Sequence, residues 1–266
     1  MFNTALNFQD LHSQYSAGIR NIQDYNIQLI KYGKCNIEVP IKSIPRLLTE
    51  EILNPFYLFQ VFSMVLWYWD GYSYYATCIL VISVTSATTS LVETLSNLRN
   101  IRKMANYTCE VNVMRSGDEN ILTPVDSSNL VPGDVIEIPE NTAMPCDLVL
   151  LTGSCIVNES MLTGESIPVI KNSLPFSSNE AFDPDQDSKY TLYGGTKVIQ
   201  TRRYGNTKVL GVVIRTAFVT TKGNFVRDIL YPRPNKFKFY EDSLKFILCM
   251  GLIAVLGFCG TIPLML

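Results

Sequence analysis

Hydrophobic positions in this chain fall into two regimes. Ile52–Trp69, Gly71–Val92 and Phe246–Leu266 contain no charged side chain, and each run is close to the ~20 apolar residues that carry a helix across a bilayer. Between the second and third runs, short apolar segments alternate with polar residues and turn clusters. The first regime predicts membrane helices and the second a β domain.

The first two runs are separated by Asp70-Gly71, which predicts a tight helical hairpin. Trp67, Tyr68, Trp69, Tyr72, Tyr74 and Tyr75 crowd its tip, where amphipathic rings suit the bilayer interface. Lys42 and Arg46 precede the first run, Arg99, Arg102 and Lys103 follow the second, and Lys236, Lys238 and Lys245 precede the third. By the positive-inside rule the N-terminus and the middle region are cytosolic and the hairpin tip is lumenal or external. A buried core helix is the plainer reading of any one run, and three such runs in one chain weigh against it. Ile44, Leu47, Leu48 and Ile52 recur at helical spacing among Arg46, Glu50 and Glu51. They predict either an amphipathic lead-in on the cytosolic face or the first turns of the membrane helix.

In the middle region Cys109, Val111 and Val113 alternate with Glu110 and Asn112 as in a strand. Further strands are expected at 135–138, 148–151, 155–157, 190–193, 197–199 and 209–214, with an exposed loop at 172–189 and a closing helix at 220–231. Turn chemistry punctuates them at Pro132-Gly133-Asp134, Thr152-Gly153-Ser154, Gly194-Gly195 and Tyr204-Gly205-Asn206.

Charged residues are only 17% of the 266, and the net charge of −2 argues against a nucleic-acid partner. The first 45 residues show no signal-peptide pattern. Seven cysteines are scattered without a C-x-x-C pair, and the lone His12 has no neighbouring ligands, so neither a disulfide framework nor a metal site is indicated. Asn106-Tyr107-Thr108 and Asn158-Glu159-Ser160 match the glycosylation pattern but are cytosolic on this topology and should stay bare.

The chemistry concentrates in "NESMLTGESIPV", residues 158–169, where Glu165 stands on the small, polar stretch Thr163-Gly164-Glu165-Ser166. This stretch resembles the T-G-E-S loop of the P-type ATPase actuator domain. Val131-Pro132-Gly133-Asp134, Pro145-Cys146-Asp147, Asn158-Glu159-Ser160, Gly195-Thr196 and Thr221-Lys222-Gly223 match the family in the same order. The hairpin "EEILNPFYLFQVFSMVLWYWDGYSYYA", the preceding "YGKCNIEVPIKS", and "ILYPRP" and "FKFYEDSLKF" after the domain look like the P5B group, related to lysosomal and endosomal polyamine transporters. The resemblance runs from about Leu11 to Leu266. One departure is Ala217 in "VIRTAF", where the family pattern has glycine.

The resemblance implies membrane α-helices plus an all-β, distorted jelly-roll-like cytosolic actuator domain, α+β overall. Its parts would be a cytosolic N-terminal segment (1–50), a transmembrane hairpin with a cytosolic extension (51–106), the actuator domain (107–232), and a linker with a truncated third membrane helix (233–266). Glu165 would orient or deprotonate the water that hydrolyses an aspartyl-phosphate. Gly164 would leave room for the phosphate, and Thr163 and Ser166 would fix the loop by hydrogen bonds. ATP and Mg2+ would serve the full-length enzyme, with no cofactor or metal bound by this chain itself. Membrane lipid, the remaining domains of the same ATPase and a transported polyamine or cation would be the partners, in a late endosomal or lysosomal membrane. Glu159, Asp134 and Asp147 are read as structural, and Asp70 as an interfacial loop residue.

No Asp-Lys-Thr-Gly-Thr phosphorylation motif occurs in the chain. It is therefore expected to be the N-terminal part of a P5B transport ATPase, inactive alone. The alternatives are a short non-catalytic membrane protein that binds or regulates full-length pumps, and a membrane-anchored β domain that binds a soluble ligand.

Overall fold

The computed structural model of the chain describes residues 7–15, 18–19, 21–40, 43–53, 55–115, 121–176, 181–184, 186–205, 207–231 and 238–265. It divides into two units, 1–227 and 228–266.

In the first unit, helices α1 (Phe8–Tyr15), α2 (Ile22–Tyr32) and α3 (Ile44–Ile52) precede the hairpin of α4 (Pro55–Trp69) and α5 (Ser73–Ala105). Gly71, at φ +83°, ends α4. The Tyr72 amide reaches back to the Trp67 carbonyl at 2.9 Å, the closure that a left-handed residue after a helix permits. Two side-chain bonds hold α4 and α5 in one register, Gln60 Nε2 to Ser83 Oγ at 2.6 Å and Tyr68 Oη with Thr77 Oγ1 at 2.8 Å.

The outer surface of the hairpin is apolar and open, as at Phe59, Phe62 and Ile82. Thr77, Ser83, Thr85, Thr88 and Thr89 donate their hydroxyls to the carbonyls one turn back. That internal satisfaction keeps a Ser/Thr-rich helix compatible with hydrocarbon surroundings.

Among the described residues one helix, α5, is long and apolar enough to cross a membrane. Within the run at 52–69 the apolar helix is α4, of 15 residues, and it starts at Pro55, a residue suited to the first turn of a helix. In the second unit, α8 (Lys238–Met265) contains the run at 246–266 up to residue 265, with a shorter apolar portion at Lys245–Gly260.

The β domain follows α5. Strands β1 (Glu110–Met114), β2 (Thr123–Asp126), β3 (Val135–Glu137), β4 (Asp147–Leu150), β5 (Ser154–Asn158), β6 (Val169–Asn172), β7 (Thr191–Leu192), β8 (Lys197–Arg202) and β9 (Leu210–Arg215) accompany helices α6 (Ser160–Thr163) and α7 (Thr221–Leu230). They form two antiparallel sheets, ordered β2-β1-β3-β9-β4-β7 and β6-β5-β8.

The β3-β9-β4-β7 part of the six-stranded sheet is buried on both faces, which is why β4 and β9 read as continuous apolar runs. Leu148, Leu150 and Val213 join Cys155, Val157 and Val198 of the smaller sheet in one core. The alternate residues Val149, Leu151, Val212 and Ile214 form a second core with Phe8 and Leu11 of α1, Leu174 and Phe182. Sequence periodicity does not disclose α1 as this cover, since it contributes only two buried apolar residues. Two strands also depart from expectation. β2 contains Pro124, which an edge strand tolerates, and β6 occupies the approach to the expected 172–189 loop.

Candidate functional site

The Thr163-Gly164-Glu165-Ser166 stretch connects β5 to β6. Asn158 starts it, its Oδ1 accepting the Ser160 amide at 2.9 Å, an Asx turn that leads into the single turn of α6. The Glu159 carbonyl accepts the amides of Leu162 at 2.8 Å and Thr163 at 3.0 Å. Gly164 ends the turn at φ +78° in the left-handed region, which costs glycine little and other residues more. A side chain there would meet nothing within 4 Å. In this conformation, then, glycine is needed for its dihedral angle rather than for space.

Thr163 sets the conformation of the next two residues. Its Oγ1 donates to the Glu159 carbonyl at 3.2 Å and accepts the Glu165 amide at 3.2 Å. Glu165 and Ser166 are exposed, and neither side chain makes a hydrogen bond or ion pair among the described residues. Of Thr163 and Ser166, it is Thr163 whose side chain bonds within the loop among the described residues. Met161 and Ile167 flank the loop and are also exposed. Among the described residues the structure thus presents an unpaired carboxylate on a hydrogen-bonded turn between β5 and β6.

Glu159 is unlike Glu165. It is buried, and its Oε1 lies 2.7 Å from Nζ of Lys171, whose side chain is only 2% exposed. Lys171 also donates to the Ser188 carbonyl at 2.7 Å and lies 5.2 Å from the centroid of the Tyr193 ring. Nearby, burial pushes the Cys155 thiol up to about 12, outweighing the pull of Lys171. The sequence reading missed Lys171. The available signal was its phase in β6, where it pairs with inward-facing Cys155.

The other carboxylates serve the scaffold. Asp134 is fully buried and takes a two-pronged bond from Arg115, Nε to Oδ1 at 3.1 Å and Nη2 to Oδ2 at 2.8 Å. It also accepts the Val131 amide at 3.0 Å. Arg115 in turn lies 4.2 Å from the centroid of the Tyr25 ring in α2, which ties the N-terminal segment to the domain. Asp147 is fully buried and accepts the Gly194 amide at 2.7 Å and the Thr221 amide at 2.9 Å. Burial raises its carboxyl above the ordinary range, against the opposing pull of those donors and of Arg215. Asp70 is exposed at the hairpin tip.

Ala217 sits at φ +51°, the left-handed region that glycine occupies with least strain. Its departure from the family pattern therefore falls where the backbone conformation favours glycine. Lys222 is half-buried, and desolvation lowers its ammonium below the ordinary lysine value. Among the described residues no three His, Cys, Asp or Glu side chains converge as a metal site.

Residues 107–230 match the family model of the P-type ATPase actuator domain. The chain is 45% identical over 262 residues to the mouse protein named polyamine-transporting ATPase 13A3, an alignment covering 95% of this chain and 21% of the relative. It is 45% identical over 241 residues to human polyamine-transporting ATPase 13A2, covering 89% of this chain and 20% of the relative. Over 241 residues it is also 45% identical to the vacuolar cation-transporting ATPase YPK9 of Saccharomyces cerevisiae, covering 86% of this chain and 16% of the relative. The chain spans about a fifth of the length of the curated relatives it matches.

Proposed function

Because this chain belongs to the P-type ATPases, we propose that it supplies the dephosphorylation loop and the front membrane helices of a P5B transport ATPase. That enzyme moves a polyamine, or an inorganic cation, from the lumen of a late endosome or lysosome to the cytosol. The observation that carries the reading is Glu165, an exposed carboxylate without a partner among the described residues, on a turn shaped by Thr163 and by the left-handed Gly164.

In the proposed step, Glu165 meets an aspartyl-phosphate on a domain whose phosphorylation motif this sequence does not contain. Glu165 orients a water and takes a proton from it as the water oxygen bonds to phosphorus. The acyl phosphate P–O bond breaks, the aspartate leaves as a carboxylate, and inorganic phosphate is released. Most of the gain is positional, because the reacting atoms are already aligned when the loop docks. ATP and Mg2+ would serve the full-length enzyme, and the described residues offer no cluster of three His, Cys, Asp or Glu for the metal.

The membrane placement has α4 and α5 as a hairpin with its aromatic tip in the lumen and Arg99, Arg102 and Lys103 at the cytosolic end. Exposed Trp69, Tyr74 and Tyr75 at the tip support it, as amphipathic rings suit the interface. The domain would then rotate on the cytosolic side and pull on these helices during the cycle.

The substrate is tested in sealed vesicles containing a full-length ATPase that carries this segment. Lumenal spermine or spermidine should accelerate loss of the phosphoenzyme, while lumenal potassium, calcium or manganese should not. Equal acceleration by an inorganic cation, or none by a polyamine, would reject polyamine transport.

A further inference from the structure

We propose that Lys171 is the positioning residue of the Thr163-Gly164-Glu165-Ser166 loop, which it holds through the buried carboxylate of Glu159. The inference rests on the reading of Glu165 as the water-orienting group, and it adds the part that sets where Glu165 stands.

A lysine with 2% side-chain exposure is costly unless its ammonium is fully engaged. Here three partners surround Nζ. These are Glu159 Oε1 at 2.7 Å, the Ser188 carbonyl at 2.7 Å, and the Tyr193 ring, whose centroid lies 5.2 Å away. The three come from different parts of the domain. Glu159 stands at the foot of the loop where β5 ends, Ser188 lies in the turn before β7, and Tyr193 follows β7. Lys171 itself is on β6, the strand by which the chain returns from the loop. The ammonium therefore joins both feet of the loop to a turn outside it.

Lys171 and Glu159 are paired by charge at 2.7 Å, without the alignment of a hydrogen bond, and from Glu159 two hydrogen bonds lead to the reactive residue. Glu159, held by Lys171, offers its carbonyl to Thr163 Oγ1 at 3.2 Å, and Thr163 Oγ1 accepts the Glu165 amide at 3.2 Å. The single turn of α6 has four residues, too few to be stable on its own propensity. Its geometry must be imposed from its ends, and the Glu159–Lys171 pair is the buried anchor at the first end. Hydrolysis depends on geometry, so loosening this anchor slows the hydrolytic step and leaves phosphoryl transfer from ATP alone.

The test separates positioning from stability with two variants. Lys171→Met strands a buried carboxylate and should lower the melting temperature, whereas Lys171→Met combined with Glu159→Gln removes both charges and should recover most of it. The anchor is absent from both. In the purified 266-residue chain, amide hydrogen exchange at Leu162, Thr163 and Glu165 should therefore rise at least tenfold in both variants, with Val149 and Val213 of the six-stranded sheet unchanged in the double variant.

In a full-length ATPase made by placing this chain in the matching segment of the yeast relative, phosphoenzyme should form at the normal rate. Its decay should be at least tenfold slower in both variants, including the double variant with recovered stability. A merely structural Lys171 predicts that decay recovers along with the melting temperature, and that result would overturn the proposal. So would unchanged loop exchange in both variants. Glu165→Gln is the control. If it leaves decay unchanged, the reading of Glu165 falls, and loop exchange in the isolated chain then decides whether Lys171 anchors the loop.

Discussion

The buried carboxylate of Asp147 in β4 accepts the backbone amide of Thr221, 74 residues further on, at 2.9 Å. Thr221 is the first residue of α7, so Asp147 satisfies a helix start from outside the helix, where negative charge is favoured. The same carboxylate holds the Gly194 amide at 2.7 Å. Asp147→Ala leaves the buried Gly194 amide and the part-buried Thr221 amide without that partner and should cost about 1–3 kcal/mol for the first and less for the second. Asp147→Asn keeps one acceptor oxygen and should cost less. Thermal melting of the purified chain reads both.

The pH dependence of that effect has a definite sign. Burial raises the folded-state pKa of Asp147 above its unfolded value, so the folded form binds the proton more tightly. The associated stability is fully present below the unfolded pKa of about 3.9 and is lost as pH rises through the folded value. The melting-temperature advantage of the natural chain over Asp147→Asn should be widest below about pH 3.9 and shrink as pH rises. An advantage that grows with pH would show that the hydrogen bonds to the carboxylate outweigh its desolvation.

Ala217 gives a prediction of the opposite direction. Its φ of +51° strains an L-residue, so Ala217→Gly should stabilise the domain by about 1 kcal/mol. For a domain of this size that is a melting-temperature rise of roughly 2–4 °C. A fall would mean that the greater freedom of glycine in the unfolded chain outweighs the relieved strain.

Thr163 is required for both of its bonds, one donated and one accepted by the same oxygen. Thr163→Val removes both and should slow phosphoenzyme decay roughly tenfold, the effect of losing about one net hydrogen bond's worth of positioning. Thr163→Ser keeps the hydroxyl and should stay within about threefold of the natural rate. Comparable slowing in both variants would show that the hydroxyl's two bonds are not what sets the rate at this position.

The sequence was most legible where one local rule governed the outcome. Alternation in β1 and the buried runs of β4 and β9 mark the larger sheet, and the glycine-centred stretch around Glu165 marks the exposed turn. Legibility failed where the partner is distant. Lys171 reads as an ordinary surface lysine until β6 folds back on β5 and brings it to Glu159. The second face of the sheet is covered by Phe8 and Leu11, which lie far from the strands they protect and show no strong helical stripe. The apolar composition of the first run was legible but the length of its helix was not, since α4 starts at Pro55 and has 15 residues.

Glu165, as the group that drives hydrolysis of an aspartyl-phosphate, is tested by the decay of labelled phosphoenzyme after an ATP chase, in a full-length ATPase carrying this segment with Glu165→Gln. Loss of a general base predicts decay slowed by about 100-fold or more, with phosphoenzyme formation unchanged. Decay at the natural rate would contradict that role and leave Glu165 as an ordinary turn residue.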